Sequence, residues 1–341
     1  MNIQRAVHRG IQTRDAMTYD SHTVDSAGVF LVGELERLDQ RMHMPLASVT
    51  WSRDIDLRED VSIADEFSSF TNSTFAQALG VAGSDKAWIG KDSNAIVDIA
   101  LDIGKTIYPL NLWGVQLGWT IPELASAQKL GRPVDQQKYA GMQLKWNMDV
   151  DEQVYIGDSA LRDQFGNPIT GMLNQINLVN VGNAVNGNWA SATPAMILAD
   201  VNSLLTSVWA TSAYAICPSR LLIAPAEYSY LVSTLISTAG NISVMEFLRI
   251  NSISNGVNGQ PLEIFPCKWL TGTNNGGKGP TATDAMFAYT KDPGRIRFPL
   301  VPTQRTPLEY RTLHQLTTYF CRIGAVEMVY PELCGRRSNL G

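Results

Sequence analysis

The stretch that decides the fold runs over residues 117–158 and reads LGWTIPELASAQKLGRPVDQQKYAGMQLKWNMDVDEQVYIGD. Thr120 and Glu123 have capping-box spacing: the Thr hydroxyl can accept the amide three residues on, and Glu123 can reach back to the Thr120 amide. Pro122 is tolerated because first-turn amides have no intrahelical partner. Leu124, Ala127 and Leu130 share a face at three-residue spacing. Gly131 suits a stop, and Pro133 suits the first turn of a second helix. Tyr139, Met142, Trp146, Val150 and Val154 then line one side. About 20 such residues span about 30 Å, so the spacing predicts a long element in two pieces, broken at residues 131–133. No catalytic grouping accompanies it, which points to a structural role.

Outward from this element, composition sets bounds. The chain has 341 residues, 45% of them apolar, enough for one large domain or two smaller ones. A net charge of −5 and a pI near 5.4 argue against a dedicated nucleic-acid binder. The first residues, MNIQRAVHRGIQTRD, lack the apolar run of a signal peptide. Residues 169–199 carry no charge, but Asn and Gly interrupt them too often for a membrane span. Cys217, Cys267, Cys321 and Cys334 are widely spaced, so neither a zinc site nor a disulfide framework is expected, and the thiols read as reduced.

The first 57 residues read as an extended arm with one short helix over about 29–42 and a basic tip at Arg5, Arg9 and Arg14. Residues 58–118 favour strands. In AIVDIALDI (95–103) apolar residues alternate, and the nearby glycines mark turns. A long two-stranded excursion results, marginal in water unless it lies on something. Between Asp163 and Arg220 the one charged side chain is Asp200. Thr193 and Pro194 open a helix whose stripe is Ile197, Val201, Leu204, Leu205 and Val208. Further helices are expected over 225–236 and 243–250. Strands are expected over 221–224, 262–265, 285–289 and 295–300, with two or three more over 308–330. Residues 274–279 read as a flexible loop. The class is α+β, without internal repeats.

Three motifs suggest chemistry and fail. GTNNGGK (272–278) matches GxxxxGK, but Gly279 and Pro280 follow instead of Ser or Thr and a helix, so no phosphate loop forms. Gly157, Asp158 and Ser159, after Val154, Tyr155 and Ile156, look like the nucleophile block of GDS-type ester hydrolases. None of His8, His22, His43 and His314 has Asp three residues before it, and a Ser without a base is inert. Asp149, Asp151 and Glu152 lack the spacing of a calcium loop and read as a solvated helix end. No catalytic residue, cofactor or metal site is expected.

The order of several short pieces resembles the major capsid proteins of tailed bacteriophages, the Hong Kong 97-like fold that bacterial encapsulin shells share. Strands run through Tyr108 and Pro109 into Gly118, Trp119 and Thr120. Glu123 and Leu124 then open a helix as in the family's "y-t-x-x-E-L-x-x-A" run. Gly131, Arg132, Pro133, Val134 and Asp135 match its "g-r-x-l-d" break. Asp151, Glu152, Ile156, Gly157 and Asp158 match its acidic "e-d…i-x-x-G" end. Ile169, Thr170, Gly171, Met172, Leu173 and Asn174 look like its "i-x-G-L-L-N" turn, with Met for the usual Leu, a tolerated swap of volume. Leu221, Leu222, Ile223, Ala224, Pro225 and Tyr228 look like its "l-l-l-p-p-x-x-y" step. The similarity covers roughly 58–335.

The resemblance implies an N-terminal arm (1–57), an extended loop (58–118), a peripheral domain with a spine helix (119–158 and 303–341) and an axial domain (159–302). It implies a virion protein, assembled in the host cytoplasm as pentamers and hexamers of an icosahedral shell around nonspecifically held double-stranded DNA. Scaffolding, portal and cement proteins would be its other partners, and no membrane. A weakly charged surface is compatible with that, because contacts to DNA inside a shell can be weak. Interface residues would be Arg5 and Arg9 on the arm, Trp88, Ile89 and Lys91 near the loop tip, and Asn274, Asn275 and Lys278 on an axial loop. Some members cross-link Lys to Asn. Lys86 and Lys91 lie in a suitable loop, but no cross-link is expected. The rival readings are an encapsulin-like compartment and an ester hydrolase using Ser159.

Overall fold

The computed structural model describes residues 47–77, 91, 98–129, 134–185, 187–236 and 242–341. The expected helix over 29–42 and the basic arm tip lie outside them. The described chain begins with a one-turn helix α1 (Trp51–Asp54) and strands β1 (Asp56–Arg58), β2 (Phe67–Gln77) and β3 (Ile99–Thr120). Helices α2 (Ile121–Lys129) and α3 (Val134–Tyr155) follow. The middle of the chain supplies β4 (Val179–Asn183), α4 (Pro194–Thr211), β5 (Arg220–Ile223), α5 (Pro225–Ser233), α6 (Val244–Asn251), α7 (Ile253–Asn258) and β6 (Glu263–Pro266). Strands β7 (Ala285–Tyr289), β8 (Ile296–Pro299), β9 (Gln304–Arg305), β10 (Glu309–Arg311), β11 (His314–Gly324), β12 (Glu327–Met328) and β13 (Gly335–Ser338) complete it. The class is α+β, as expected.

The capping box forms. The Glu123 amide donates to Thr120 Oγ1 at 3.2 Å, and the Thr120 amide donates to Glu123 Oε2 at 3.4 Å. The long element is in two pieces: α2 stops at Lys129 and α3 starts at Val134. The residues of the break, 130–133, lie outside those described. Lys138 of α3 ties the pieces, reaching Glu123 Oε1 at 2.8 Å and the Gly118 carbonyl at 3.0 Å. The 22 residues of α3 make a rod of about 33 Å. Val150, Val154 and Tyr155 at its end are fully buried against Trp51, Met172, Leu173 and Phe298.

The end of α3 corrects one expectation. Asp151 is not a solvated residue: it is wholly buried. Its Oδ1 accepts from the Thr50 and Trp51 amides at 2.8 and 3.1 Å, which caps α1 from a distance. Its Oδ2 accepts from Trp269 Nε1 at 2.7 Å and pairs with Lys268 at 2.8 Å. Asp149 and Glu152 do stay partly open, the first bonded to Trp113 Nε1 and Lys145.

Three sheets organise the described residues. One is the small β1-β8-β12 sheet. The second runs β10-β11-β3-β2, with β9 also on β11. In it β3 serves two partners in turn: 99–109 pair with β2, and 110–120 pair with β11. The third runs β4-β13-β7-β5-β6. Its central strands are covered on both faces, which is why Ala285–Tyr289 is buried without a break. Leu222, Phe287 and Tyr289 point into the core that α3 shares. Leu221, Ile223, Met286 and Ala288 point into a second core, under the α4 stripe of Ile197, Val201, Leu204, Leu205 and Val208.

The last strand departs from the expected grouping of 303–341. Strand β13 lies between β4 and β7, inside the sheet of the middle segment. Arg336 and Arg337 give it a polar sequence, yet Arg337 is buried and meets Asp200 of α4 at 3.4 Å. Among the described residues, no helix is long and apolar enough to cross a membrane.

Candidate assembly surfaces

The ribbon formed by β2 and the first half of β3 stands out from the sheets. Its register sets Phe75 opposite Leu101 and Ser73 opposite Ile103. Directly opposed residues share a face, as do alternate residues along a strand. Ile99, Leu101, Ile103 and Phe75 therefore form one apolar stripe. They are 68%, 53%, 62% and 71% exposed. Covering such a side chain fully is worth about 1.5–3 kcal/mol, so a surface that buried this stripe would be held well. Lys91 is exposed in a turn. Lys86, Trp88 and Ile89 lie outside the described residues.

The base of the ribbon is fastened by charge. Glu327 is wholly buried; its carboxylate accepts from Arg58 Nη1 at 3.0 Å, from Arg297 Nε at 2.6 Å and from the Ser68 hydroxyl of β2. Phe70 stacks on Tyr108 across the strands, with centroids 6.0 Å apart. Burial, and then the Glu327 charge, pushes the Tyr108 phenol above its ordinary range. The ribbon is thus rooted at one end and uncovered along its length.

The second surface is the turn that bears Asn274, Asn275 and Lys278, all exposed. It was expected to be flexible, but it is cross-braced. Thr273 and Asn274 amides donate to the Thr281 and Ala282 carbonyls, and Gly277 and Gly279 amides donate to Gly272 and Thr271. Lys278 reaches Glu152 at 3.1 Å, at the end of α3. No helix follows, and Lys278 is engaged by a carboxylate, so nothing here cradles a phosphate.

The third feature is a cavity of about 690 Å³ beside the end of α3, lined by Asn111, Lys145, Asp149, Glu152, Ser159 and Asn174 among others. Ser159 is exposed on its rim, but among the described residues no histidine lines it. His314 is elsewhere, on β11 opposite Thr120. The glycine that completes the Gly-Asp-Ser triplet has a structural reason. Gly157 has φ +79, and a Cβ there would stand 2.3 Å from the Ile169 carbonyl oxygen. Its bareness lets residues 171–173 dock on the helix end, where their amides donate to the carbonyls of Ile156, Val154 and Tyr155. Asn174 Oδ1 accepts from the Gly171 amide at 2.7 Å and pins that turn. Among the described residues, no three His, Cys, Asp or Glu side chains gather as a metal site.

Sequence reasoning had no means of finding Glu327 or Asp151 as anchors, since their partners are some 30 to 270 positions away. The exposed alternation at 99–103 was the signal for the ribbon.

A family model described as major capsid protein matches residues 85–339. Among curated proteins none matches. Solved structures do. The capsid of Myoviridae phage XM1 is 14% identical with a TM-score of 0.72, over 90% of this chain and 98% of that one. The capsid of a native GTA particle is 12% identical with a TM-score of 0.56, over 96% and 100%. A Gordonia phage Cozz chain is 12% identical with a TM-score of 0.55, over 96% and 98%. At such identities the likeness shows the fold alone.

Proposed function

The chain belongs to the major capsid protein family, and on that premise we propose that it self-assembles into the icosahedral shell of a tailed bacteriophage, enclosing double-stranded DNA. The observation that carries this reading is the rooted ribbon with its uncovered apolar stripe. A ribbon of this kind gains burial on a neighbouring copy, and a closed shell gives every copy the same neighbour to cover. The Hong Kong 97-like arrangement follows: an arm over 1–57, an extended loop over 58–118, a peripheral domain built on α2 and α3, and an axial domain over 159–302. Strand β13 then goes with the axial sheet, since its pairing partners are there.

Pentamers and hexamers would be the units of the shell. Lys91, Trp88 and Ile89 would meet a neighbour at the ribbon tip. Asn274, Asn275 and Lys278 would meet one around the symmetry axis, and Arg5 and Arg9 along the arm. Assembly would take place in the host cytoplasm, with portal, scaffolding and cement proteins as further partners. The work is mechanical. The Ser159 hydrolase reading gains no support here, because among the described residues no histidine lines the cavity beside Ser159.

Electron microscopy of the expressed protein tests the reading. Uniform shells on the order of tens of nanometres across are expected, with nucleic acid inside those recovered from infected cells. Persistent monodisperse monomers would sink it, and shells carrying a protein cargo and no nucleic acid would point to an encapsulin-like compartment instead.

A further inference from the structure

Two buried acids meet in this subunit where, among the described residues, no cation answers them. Glu227 lies in the first turn of α5, Asp284 immediately precedes β7, and both are less than one-tenth exposed. The Glu227 carboxyl is within hydrogen-bonding reach of Asp284. Its Oε2 atom is buried with no other partner. Asp284 Oδ1 already accepts from the Gly272 amide at 2.6 Å. The pair lines a cleft of about 260 Å³ together with Asn188, Trp189, Tyr230 and Asn275.

Among the described residues, each neighbouring element either brings no cation or spends it elsewhere. Helix α5 itself adds the Tyr228 and Tyr230 phenols. Helix α6 brings Glu246 and Arg249, which pair with each other, and β6 brings Glu263, which pairs with Arg220. The 272–284 turn brings Lys278, held by Glu152. Strand β13 brings Arg336, bonded to the Leu173 carbonyl, and Arg337, bonded to Asp200. The turn at 188–191 and Leu340 carry no ionisable side chain, and the α-carboxyl of Gly341, the last residue of the sequence, is a further acid and not a cation.

We propose that Glu227 and Asp284 form a proton-held clasp, in which Glu227 keeps its proton in the folded subunit, donates it in a hydrogen bond to the Asp284 carboxylate, and so fastens the 272–284 turn and the last residues of the sequence to α5. Two carboxylates in contact out of water cannot both ionise cheaply. One shared proton converts their repulsion into a charge-assisted hydrogen bond. The fastened parts converge on the pair. The Leu340 amide donates to the Asp284 carbonyl, the Asn339 amide to Thr283 Oγ1, and the Trp189 amide to the Leu340 carbonyl. Gly341 lies so close that a Cβ there would stand 2.5 Å from Glu227 Oε1.

Burial first, and the Asp284 charge after it, raises Glu227 from 4.5 to about 7, against a backbone hydrogen bond that lowers it. For an acid raised on folding, the stabilisation is fully present below the unfolded value, declines as pH rises from there, and is gone above the folded value. The clasp therefore loosens as pH climbs from about 4.5 through about 7. The turn it holds bears Asn274, Asn275 and Lys278, so on the shell reading a subunit contact would share this pH dependence. The clasp itself does not rest on that reading.

Hydrogen exchange of the full chain at about pH 6 and about pH 8, corrected for intrinsic rates, tests it on peptides covering 272–284 and 335–341. Wild type should lose about tenfold or more in protection between the two. Glu227→Gln, which keeps a donor for Asp284, should be protected equally at both. Asp284→Asn, which leaves Gly272 its acceptor, should move the step to lower pH, and serves if the first variant does not fold. Equal protection of wild type at both pH values would overturn the proposal, as would a step that persists in Glu227→Gln. Loss of the low-pH protection on adding EDTA would also overturn it, because a cation would then hold the pair. Whether wild type sediments as shells is scored separately, so failure of the shell reading and failure of the clasp are distinguishable.

Discussion

At the end of α3 a single carboxylate, Asp151, serves the Thr50 and Trp51 amides, the Trp269 indole and the Lys268 ammonium. Removing it strands two buried donors, one half-buried donor and a cation. Asp151→Ala should therefore cost about 3–5 kcal/mol, read as a lower urea midpoint. Asp149→Ala, two positions away on a part-exposed site, should cost about 1 kcal/mol or less. Equal losses would show that the burial of Asp151 carries no special weight. These residues mark where local reading stops. The Thr120 and Glu123 box was legible because both partners lie within one turn. Asp149, Asp151 and Glu152 looked alike because nothing within a few residues tells which one folds inward. Only Trp269 and Thr50, remote in sequence, make that choice.

The elements separate in the same way. The α4 stripe of Ile197, Val201, Leu204, Leu205 and Val208 was readable because a helix buries one face at a fixed period, and all five are fully buried. Strand β13 was not: no strand was expected over 335–338, because two successive arginines look unlike a buried strand until Asp200 is placed beside Arg337. The ribbon was half readable: its alternation showed two faces, while its uncovered state needed the structure. Its test belongs to this scale. Phe75→Thr combined with Leu101→Thr keeps strand-forming residues directly opposite each other. The folded subunit should stay within about 0.5 kcal/mol of wild type, since the changes are on the surface. Assembly should be lost or shifted to higher protein concentration, as sedimentation would show. Normal shells from the double variant would remove the stripe from the interface.

Across the whole molecule, two cores share the sheet β4-β13-β7-β5-β6, so neither can open without uncovering the other's strands. The cysteines report on this. All four are buried free thiols. Burial pushes Cys217 to about 11 and Cys267 to about 12, and raises Cys321 and Cys334 as well. A maleimide at neutral pH should label none of them in the folded subunit and all four together on unfolding, counted by mass spectrometry. Staggered labelling would mean that the cores open separately. The undivided run of β3 has a mechanical consequence of its own. Its ribbon half cannot be dragged along the strand axis without dragging its body half past all 11 residues of β11. Those hydrogen bonds lie across the pull and share it, instead of failing one after another like the teeth of a zip. On the shell reading, a neighbour gripping the ribbon would therefore tug on an eleven-residue ladder loaded in shear.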